Sequence, residues 1–452
     1  MAETDTIRDD LERLIGAQAM GAERSSYEID GLVPPVVVRP DTEGSIARVL
    51  EYASGAGLAV APWGRGSRQH WGDPLARCDI VLSLERYAGV IEHDEDNLTI
   101  TVRAGTSMAD LQAAAARAKQ FAPLSPPMSD QTTAGGLIAT NVVGPDQRAY
   151  GTCRDQLLGV RTALASGELV TSGGKTMKNV AGYDVTKLLV GSFGTLAVIT
   201  EATFKTLPLP EGSASIRALF DDSGAVQEFV SKLLALPLLP TSIDVSSGEC
   251  TRDKSGWNVL VGFDGSLVAV DRELRETDDL LRQHGADRIE VLRDEQHALV
   301  RQSVRDYATT AVNYSALAIL KITVPIALVI KATVAAETLA KSLGFRSGSL
   351  SHAGSGVIRL YLWSDATHEV AEGRLRDLVP TLRASIAKLR GWLMIERAAL
   401  SVRKAVTCFG LSGGAVTVMR RIKERLDPKD ILNRGRLKLP TEPAAHRSAA
   451  TR

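Results

Sequence analysis

The sequence predicts an α+β protein of two or three domains, and three observations support this. The chain has 452 residues, against a typical span of roughly 150 per domain. Up to about residue 210, short apolar strands alternate with amphipathic helices. Pro208 and Pro210 then mark a boundary, and a separate α+β pattern runs from 211 to about 400.

Ile7, Leu11, Leu14 and Ile15 fall on one face of an N-terminal helix. No basic segment followed by an apolar run precedes them, so a secretory signal is not expected. Residues 32–39 read as an extended run, and Ile46, Val49, Leu50 and Ala53 follow at helical spacing. Residues 58–61 and 80–84 are short apolar strands. Leu98, Ile100 and Val102 alternate as in a half-buried strand. Ser107 and Asp110 have capping-box spacing before an Ala-rich helix running through Lys119.

Residues 121–151 are rich in Pro, Gly, Ser and Thr, and a long irregular stretch inside a domain is more often functional than decorative. A strand over 158–164 and a glycine-rich segment lead to a helix ending near Val190, and the last strand of the unit lies within 191–210. In the second pattern, 259–263 and 357–363 read as strands and 270–281 as a helix. After 400, a helix carries Ala415, Val418, Met419, Ile422 and Leu426 on one face and stops at Asp427-Pro428. The expected segments are therefore 1–30, 31–210, 211–400 and 401–439, with a polar, disordered tail over 440–452.

Composition narrows the function. Lys plus Arg and Asp plus Glu both total 53, which argues against a general nucleic-acid binder. The most apolar stretch, 316–340, is interrupted by Lys321, Pro325 and Lys331, so no transmembrane helix is expected. A cytoplasmic location is expected, with membrane association through a partner left open. Cys78, Cys153, Cys250 and Cys408 form no C-x-x-C pair, so they read as buried thiols rather than cluster or zinc ligands, and no metal site is expected. If electrons leave through a metal cluster, another polypeptide carries it.

The glycine-rich loop Gly64-Arg65-Gly66-Ser67-Arg68 directly follows a strand. Small residues let successive backbone N–H groups face one concavity, and Arg65 and Arg68 add positive charge, so a pyrophosphate is the natural ligand. A plain tight turn is the alternative. Two nucleotide motifs fail. Gly173-Gly174-Lys175-Thr176 lacks the earlier Walker A glycine, because position 169 is Leu169. No strand-linked G-x-G-x-x-G appears, so a dinucleotide would not be held Rossmann-fashion.

Three segments read together are more specific: PWGRGSR over 62–68; TTAGGLIATNVVG over 132–144 with Tyr150-Gly151; and KNVAGYD over 178–184 with Gly191-Ser192-Phe193-Gly194 and Ile199-Thr200-Glu201. Their order and spacing resemble the FAD-binding domain of the vanillyl-alcohol oxidase and p-cresol methylhydroxylase family. Within it, the MKNVAGYD run is most similar to FAD-binding subunits of bacterial glycolate oxidases. RIKERLDPKDILNRGRL over 421–437 is similar to the family's closing segment.

The resemblance implies a two-subdomain FAD-binding domain over 31–210, a cap or substrate domain over 211–400 and a 401–439 segment that returns to the flavin. It implies that backbone groups of Gly64 to Arg68 hold the pyrophosphate. Thr132, Gly135, Gly136, Asn141, Tyr150 and Gly151 would line the second side of the cofactor, and Val198, Ile199 and Thr200 would contact its flavin or adenine end. No histidine follows the loop immediately, so noncovalent FAD is expected; His70 reads as a surface histidine.

The chain departs from its wider family at SHAGSGVIR, 351–359. Flavin-dependent D-lactate dehydrogenases resembling it carry H-x-G-D-G-N-x-H there, and the second histidine serves a metal. Here that position is Arg359, and Ser355 and Val357 replace the aspartate and asparagine. A later E-H-G-x-G is also missing; the region reads RAALSVRKAV over 397–406. Oxidising a hydroxy acid requires a base or metal for the hydroxyl proton. His352 is the remaining candidate base, against a structural role. Arg359 either holds a substrate carboxylate or pairs with an acid of the cap.

The favoured expectation is an FAD-binding subunit working beside a catalytic flavin subunit and an iron–sulfur subunit, on a small hydroxy acid. An autonomous FAD-dependent D-2-hydroxy acid dehydrogenase and a flavin-free scaffold are the alternatives.

Overall fold

The computed structural model describes residues 2–21, 23–175, 185–251, 256–313 and 317–440. The KNVAGYD run and the tail beyond 440 lie outside the described residues.

The N-terminal helix α1 (Ala2–Ile15) buries Leu11 and Ile15, with Ile7 and Leu14 packed beside them. Three short parallel strands follow: β1 (Val36–Val38), β2 (Val60–Trp63) and β3 (Ile80–Ser83), ordered β1-β3-β2. They are buried almost throughout, as parallel strands covered on both faces must be. Helix α2 (Glu43–Ala56) connects the first two and buries Ile46, Val49, Leu50 and Ala53.

An antiparallel sheet comes next, ordered β4-β5-β9-β7-β8. It comprises β4 (Val90–Asp94), β5 (Thr99–Arg103), β7 (Leu157–Ala163), β8 (Leu169–Gly173) and β9 (Val198–Lys205), while β6 (Gln120–Phe121) pairs separately with β10 (Leu207–Pro208). The alternation around Ile100 predicts a half-buried strand, yet Thr99 to Val102 are all buried. β5 lies inside the sheet, and Thr101 and Thr203 satisfy each other across it at 2.9 Å. Helix α3 (Met108–Arg117) is capped by Ser107, whose Oγ accepts from Asp110 N at 3.0 Å. The return bond of a full capping box is replaced: the Ser107 hydroxyl donates to the Asp110 carboxylate at 2.6 Å. Helix α4 (Ala134–Thr140) starts at Thr133, which accepts from Gly136 N.

From Gly212 onward one antiparallel sheet dominates: β11 (Gly212–Phe220), β12 (Ser242–Gly248), β13 (Trp257–Gly265), β14 (Asp287–Arg293), β15 (Ala318–Thr323), β16 (Arg346–His352), β17 (Val357–Trp363) and β18 (Trp392–Arg397). Its order is β14-β11-β13-β12-β16-β17-β15-β18. The register makes the faces unlike. One face carries Ile216, Val245, Val261, Ile358 and Leu360, and the helices 267–283, 329–342 and 368–388 pack on this sheet. The other aligns Asp244, His352, Arg359 and Lys321 and meets the first half of the chain. There, Asp306 accepts from Met128 N, and Arg359 reaches Val143 O.

The late helix Gly414–Leu426 is present, but its contact face differs from the apolar count. Val416 is buried while Val418 is 57% exposed and Ala415 is exposed. Lys423 sets the rotation, because its ammonium donates to Thr195 O, Leu432 O and Asp427. The chain after it runs beside β2: Val60 N donates to Ile431 O at 2.8 Å and Asn433 N to Val60 O at 2.9 Å. Three cysteines are buried thiols as expected, whereas Cys250 is only partly buried.

Asp30 ties these parts together. Its carboxylate accepts from Arg403 at 2.5 Å, Arg436 at 3.0 Å and Leu75 N at 3.1 Å. All three charged side chains are buried. Removing one charge of such a group strands the others in low dielectric, at about 3–5 kcal/mol. Asp30→Asn is therefore expected to lower unfolding stability by that order, read as a shift of the denaturant midpoint.

Candidate functional site

The loop after β2 forms one wall of an open cleft of about 790 Å³. Gly64, Arg65, Gly66, Ser67 and Arg68 line it. Among the described residues, no backbone N–H of this loop has a partner within the chain. Five consecutive donors are thus available to an anion. Gly66 sits at φ 74°, and a Cβ there would lie 2.3 Å from the Trp63 ring. A Cβ on Gly64 would lie 2.4 Å from Thr133 Oγ1, on the opposite wall.

That wall comes from α4. Gly135 and Gly136 line the cleft, but their amides are spent on Ala104 O and Thr133 Oγ1. They offer close approach rather than donors. Val198 and Ile199 at the start of β9 complete the cleft, with Phe193 and Gly194.

Other sequence candidates lie elsewhere. Thr132 is buried behind the loop, bonded to Arg68 at 2.8 Å. Thr200 turns away and donates to Glu43 at 2.6 Å. Asn141 caps α4 at φ 47°. Tyr150 packs edge-on to Phe121 and reaches Asp264 at 3.4 Å. Gly151 borders a separate small hollow beside Cys153.

The sequence reading missed Asn433 and Arg436, which reach the cleft from the C-terminal segment. Each leaves one buried polar atom without a partner: Asn433 Oδ1, an acceptor, and Arg436 Nη2, a donor. The NRGRL run over 433–437 in the closing segment could have named them. The described wall therefore carries three guanidinium groups and no carboxylate or imidazole. Free amides, orphaned donor and acceptor, surplus positive charge and side-chain-free approach suit a dinucleotide diphosphate.

His352 and Arg359 are not on the cleft wall. His352 Nδ1 lies 2.7 Å from Asp244 and its Nε2 lies 3.2 Å from Arg359 Nη1. A guanidinium only donates, so Nε2 accepts and Nδ1–H points to Asp244. Asp244 also takes Arg301 at 3.1 Å. Arg359 Nε donates to Glu396 at 2.9 Å, the cap-acid alternative read from the sequence. Burial alone raises the Glu396 carboxyl, but Arg359 and Lys321 outweigh it and hold it below the usual range. Burial opposes the Arg359 charge, and Glu396 more than restores it. Lys321 is lowered by burial despite Glu396.

His70 is not a surface histidine. It is partly buried, and burial together with Arg397, Arg403, Arg68 and Arg436 pushes its pKa down to about 4. Its ring is neutral at pH 7 and a poor base.

The fold is that of solved oxidases. A 4-ethylphenol oxidase from Gulosibacter chungangensis superposes with a TM-score of 0.75, covering 98% of both chains at 17% identity. A p-cresol methylhydroxylase also gives 0.75, at 15% identity and 98% coverage of both. Residues 34–173 match the family described as FAD binding domain, and residues 209–437 the family described as FAD linked oxidases, C-terminal domain. The chain belongs to the FAD-linked oxidases and is an FAD-dependent oxidoreductase with the p-cresol-methylhydroxylase-type fold. The glycolate oxidase subunit GlcD of Bacillus subtilis is 27% identical over 425 residues, 90% of this chain and 89% of that one. The glycolate oxidase subunit GlcE of Escherichia coli is 37% identical over 212 residues, 47% of this chain and 58% of that one. A D-lactate dehydrogenase of Archaeoglobus fulgidus is 29% identical over 415 residues, 89% and 91% of the two chains.

Two outcomes are expected. Gly64→Ala drives a methyl into Thr133 and lowers flavin occupancy at least tenfold, read from visible absorbance per chain after reconstitution. For His70, the unfolded ring protonates near pH 6.5 and the folded one only near 4. Stability therefore declines as pH drops through that window, and His70→Gln should flatten this part of the stability–pH curve.

Proposed function

We propose that the chain is the FAD-binding subunit of a glycolate-oxidase-type 2-hydroxy acid oxidoreductase complex. One observation carries the reading: the histidine retained in the metal-motif region, His352, has both ring nitrogens bonded within the chain, and Arg359 is closed onto Glu396. No proton acceptor stands open on the described cleft wall. In this reading the loop Gly64 to Arg68, with Arg436 and Asn433, holds noncovalent FAD, and Val198 and Ile199 pack against it. Gly135 and Gly136 permit its approach. FAD supplies acceptance of two electrons; the protein binds and orients it in a cationic, partly enclosed cleft. A catalytic flavin subunit and an iron–sulfur subunit would be the partners, consistent with the similarity to GlcD and GlcE. No described helix is long and apolar enough to cross a membrane; a cytoplasmic complex, or one joined to a membrane by a partner, fits the proposal.

A second reading, an autonomous 2-hydroxy acid dehydrogenase, is favoured by the similarity of almost the whole chain to the D-lactate dehydrogenase. The isolated, FAD-loaded chain separates the two. It is expected to show no robust oxidation of glycolate or D-lactate with an artificial dye, and to gain turnover when co-purified with its partners. Robust turnover alone would establish the autonomous enzyme, and a His352→Gln variant would then ask whether that histidine is its base.

A further inference from the structure

Both arginines of the glycine loop cross to residues 127–132, the stretch that leads into the wall made by α4. Arg65 donates to Asp130 O at 2.6 Å. Arg68, which lines the cleft, makes the larger set of bonds. Its Nη1 donates to Thr132 Oγ1 at 2.8 Å and its Nη2 to Pro127 O at 2.8 Å. The Thr132 hydroxyl donates to the same Pro127 carbonyl at 2.8 Å, so the three groups close a triangle. Thr132 and Pro127 are both buried. Nη1 also donates to Ser67 Oγ at 3.0 Å, and the guanidinium lies over the Trp71 ring, 5.6 Å from its centre. A planar fork bonded through both of its outer nitrogens has one geometry, so the side chain is a spacer of fixed length.

The acceptors are themselves held in place. Residues 127–132 turn at Met128, whose φ is 52°. A residue with a side chain keeps that left-handed backbone only when its surroundings impose it. Met128 O accepts from Gln131 N at 2.9 Å and from Thr132 N at 2.7 Å. Met128 N donates to Asp306 Oδ1 at 2.8 Å. Asp306 stands between the helices Asp294–Arg305 and Tyr307–Asn313, in the second half of the chain. Beyond the turn, Met108 N donates to Thr132 O at 2.8 Å, and Thr133 then caps α4. The bonds from Arg68 therefore join the last residue of one wall to the residue that precedes the other. They fix how far the amides of 64–68 stand from the close-approach surface of Gly135 and Gly136.

We propose that Arg68 is a positioning residue for the cofactor: it sets the width of the cleft through Thr132 and Pro127, and Asp306 holds that strut from the second half of the chain. This rests on the reading that the cleft holds FAD. It gives Arg68 a task other than pairing with the diphosphate. The main-chain amides are the anion's donors, and Arg68 keeps them at the spacing a dinucleotide needs.

The test titrates the flavin-stripped, full-length chain with FAD and follows flavin fluorescence. Unfolding midpoints of the stripped variants are measured beside it, because a merely destabilising change lowers the midpoint and leaves the affinity of the folded chain intact. Arg68→Gln is expected to weaken FAD about tenfold, since bonds from a charged donor are the strong ones. Arg68→Lys keeps the charge but not the fork, and should weaken FAD about fivefold. Thr132→Val should weaken it about threefold, while Thr132→Ser keeps the hydroxyl and binds as wild type. The Arg68→Gln, Thr132→Val double variant should bind no worse than Arg68→Gln alone, because both changes remove one strut. Asp306→Ala should weaken FAD about threefold, and Asp306→Asn, which keeps an acceptor for Met128 N, should not.

Wild-type affinity in Thr132→Val or in Asp306→Ala overturns the proposal. So does full rescue by Arg68→Lys, or losses that multiply in the double variant; either would assign Arg68 to the phosphates by its charge. Where Arg68→Gln does not fold, the paired variants at Thr132 and Asp306 decide. A wild-type chain that takes up no flavin would refute the cofactor reading itself, a result distinct from every variant outcome.

Discussion

The buried carboxylate of Asp30 is the interaction on which the rest of the arrangement depends. It accepts from Arg403, which follows the large sheet, and from Arg436, which belongs to the chain's last described segment. Both guanidiniums also bond to carbonyls of the loop 72–73. One acid near the N-terminus therefore holds three distant stretches of chain against the wall that carries the glycine loop. Without it, Arg436 would lose the carboxylate that fixes it at the cleft. Desolvated ion groups are poor sources of net stability, but they specify one arrangement well, and that is the use made of this one.

The eight-stranded sheet divides labour by its two faces. Its apolar face is an ordinary helix-covered core. Its opposite face carries Asp244, His352, Arg359 and Glu396 as a buried network whose members bond one another, with Lys321 on the same face. Such a network is rigid when complete. It sets the sheet against the first half of the chain, where Arg359 reaches Val143 O.

Much of the first half was legible because local chemistry decides it. The helix at Ile46 to Ala53 and the loop at 64–68 follow from periodicity and from glycines with few conformational rivals. The strand at Ile100 was located, but its second buried face was not, since Thr101 and Thr203 hide a pair of hydroxyls that solve burial together. The helix after 413 was located but rotated, because a lysine ammonium, not an apolar stripe, sets its contact face. Of the cofactor candidates, those in the contiguous loop reach the cleft. Thr200 does not, because on β9 its neighbours Val198 and Ile199 take the wall while its hydroxyl bonds to Glu43. Asn433 and Arg436 reach the cleft from the far end of the chain; the closing segment was expected to return there, but its spacing alone does not say which side chains face the loop.

The unpaired amides of residues 64–68 have a consequence for the chain's life before its cofactor arrives. A wall that sets unpaired amide donors beside three guanidiniums favours an anion. Whatever anion first occupies it binds the folded form and not the unfolded one, so its free concentration enters the folding equilibrium. Abundance of this polypeptide should then follow the supply of its dinucleotide, making riboflavin status a determinant of how much protein survives proteolysis.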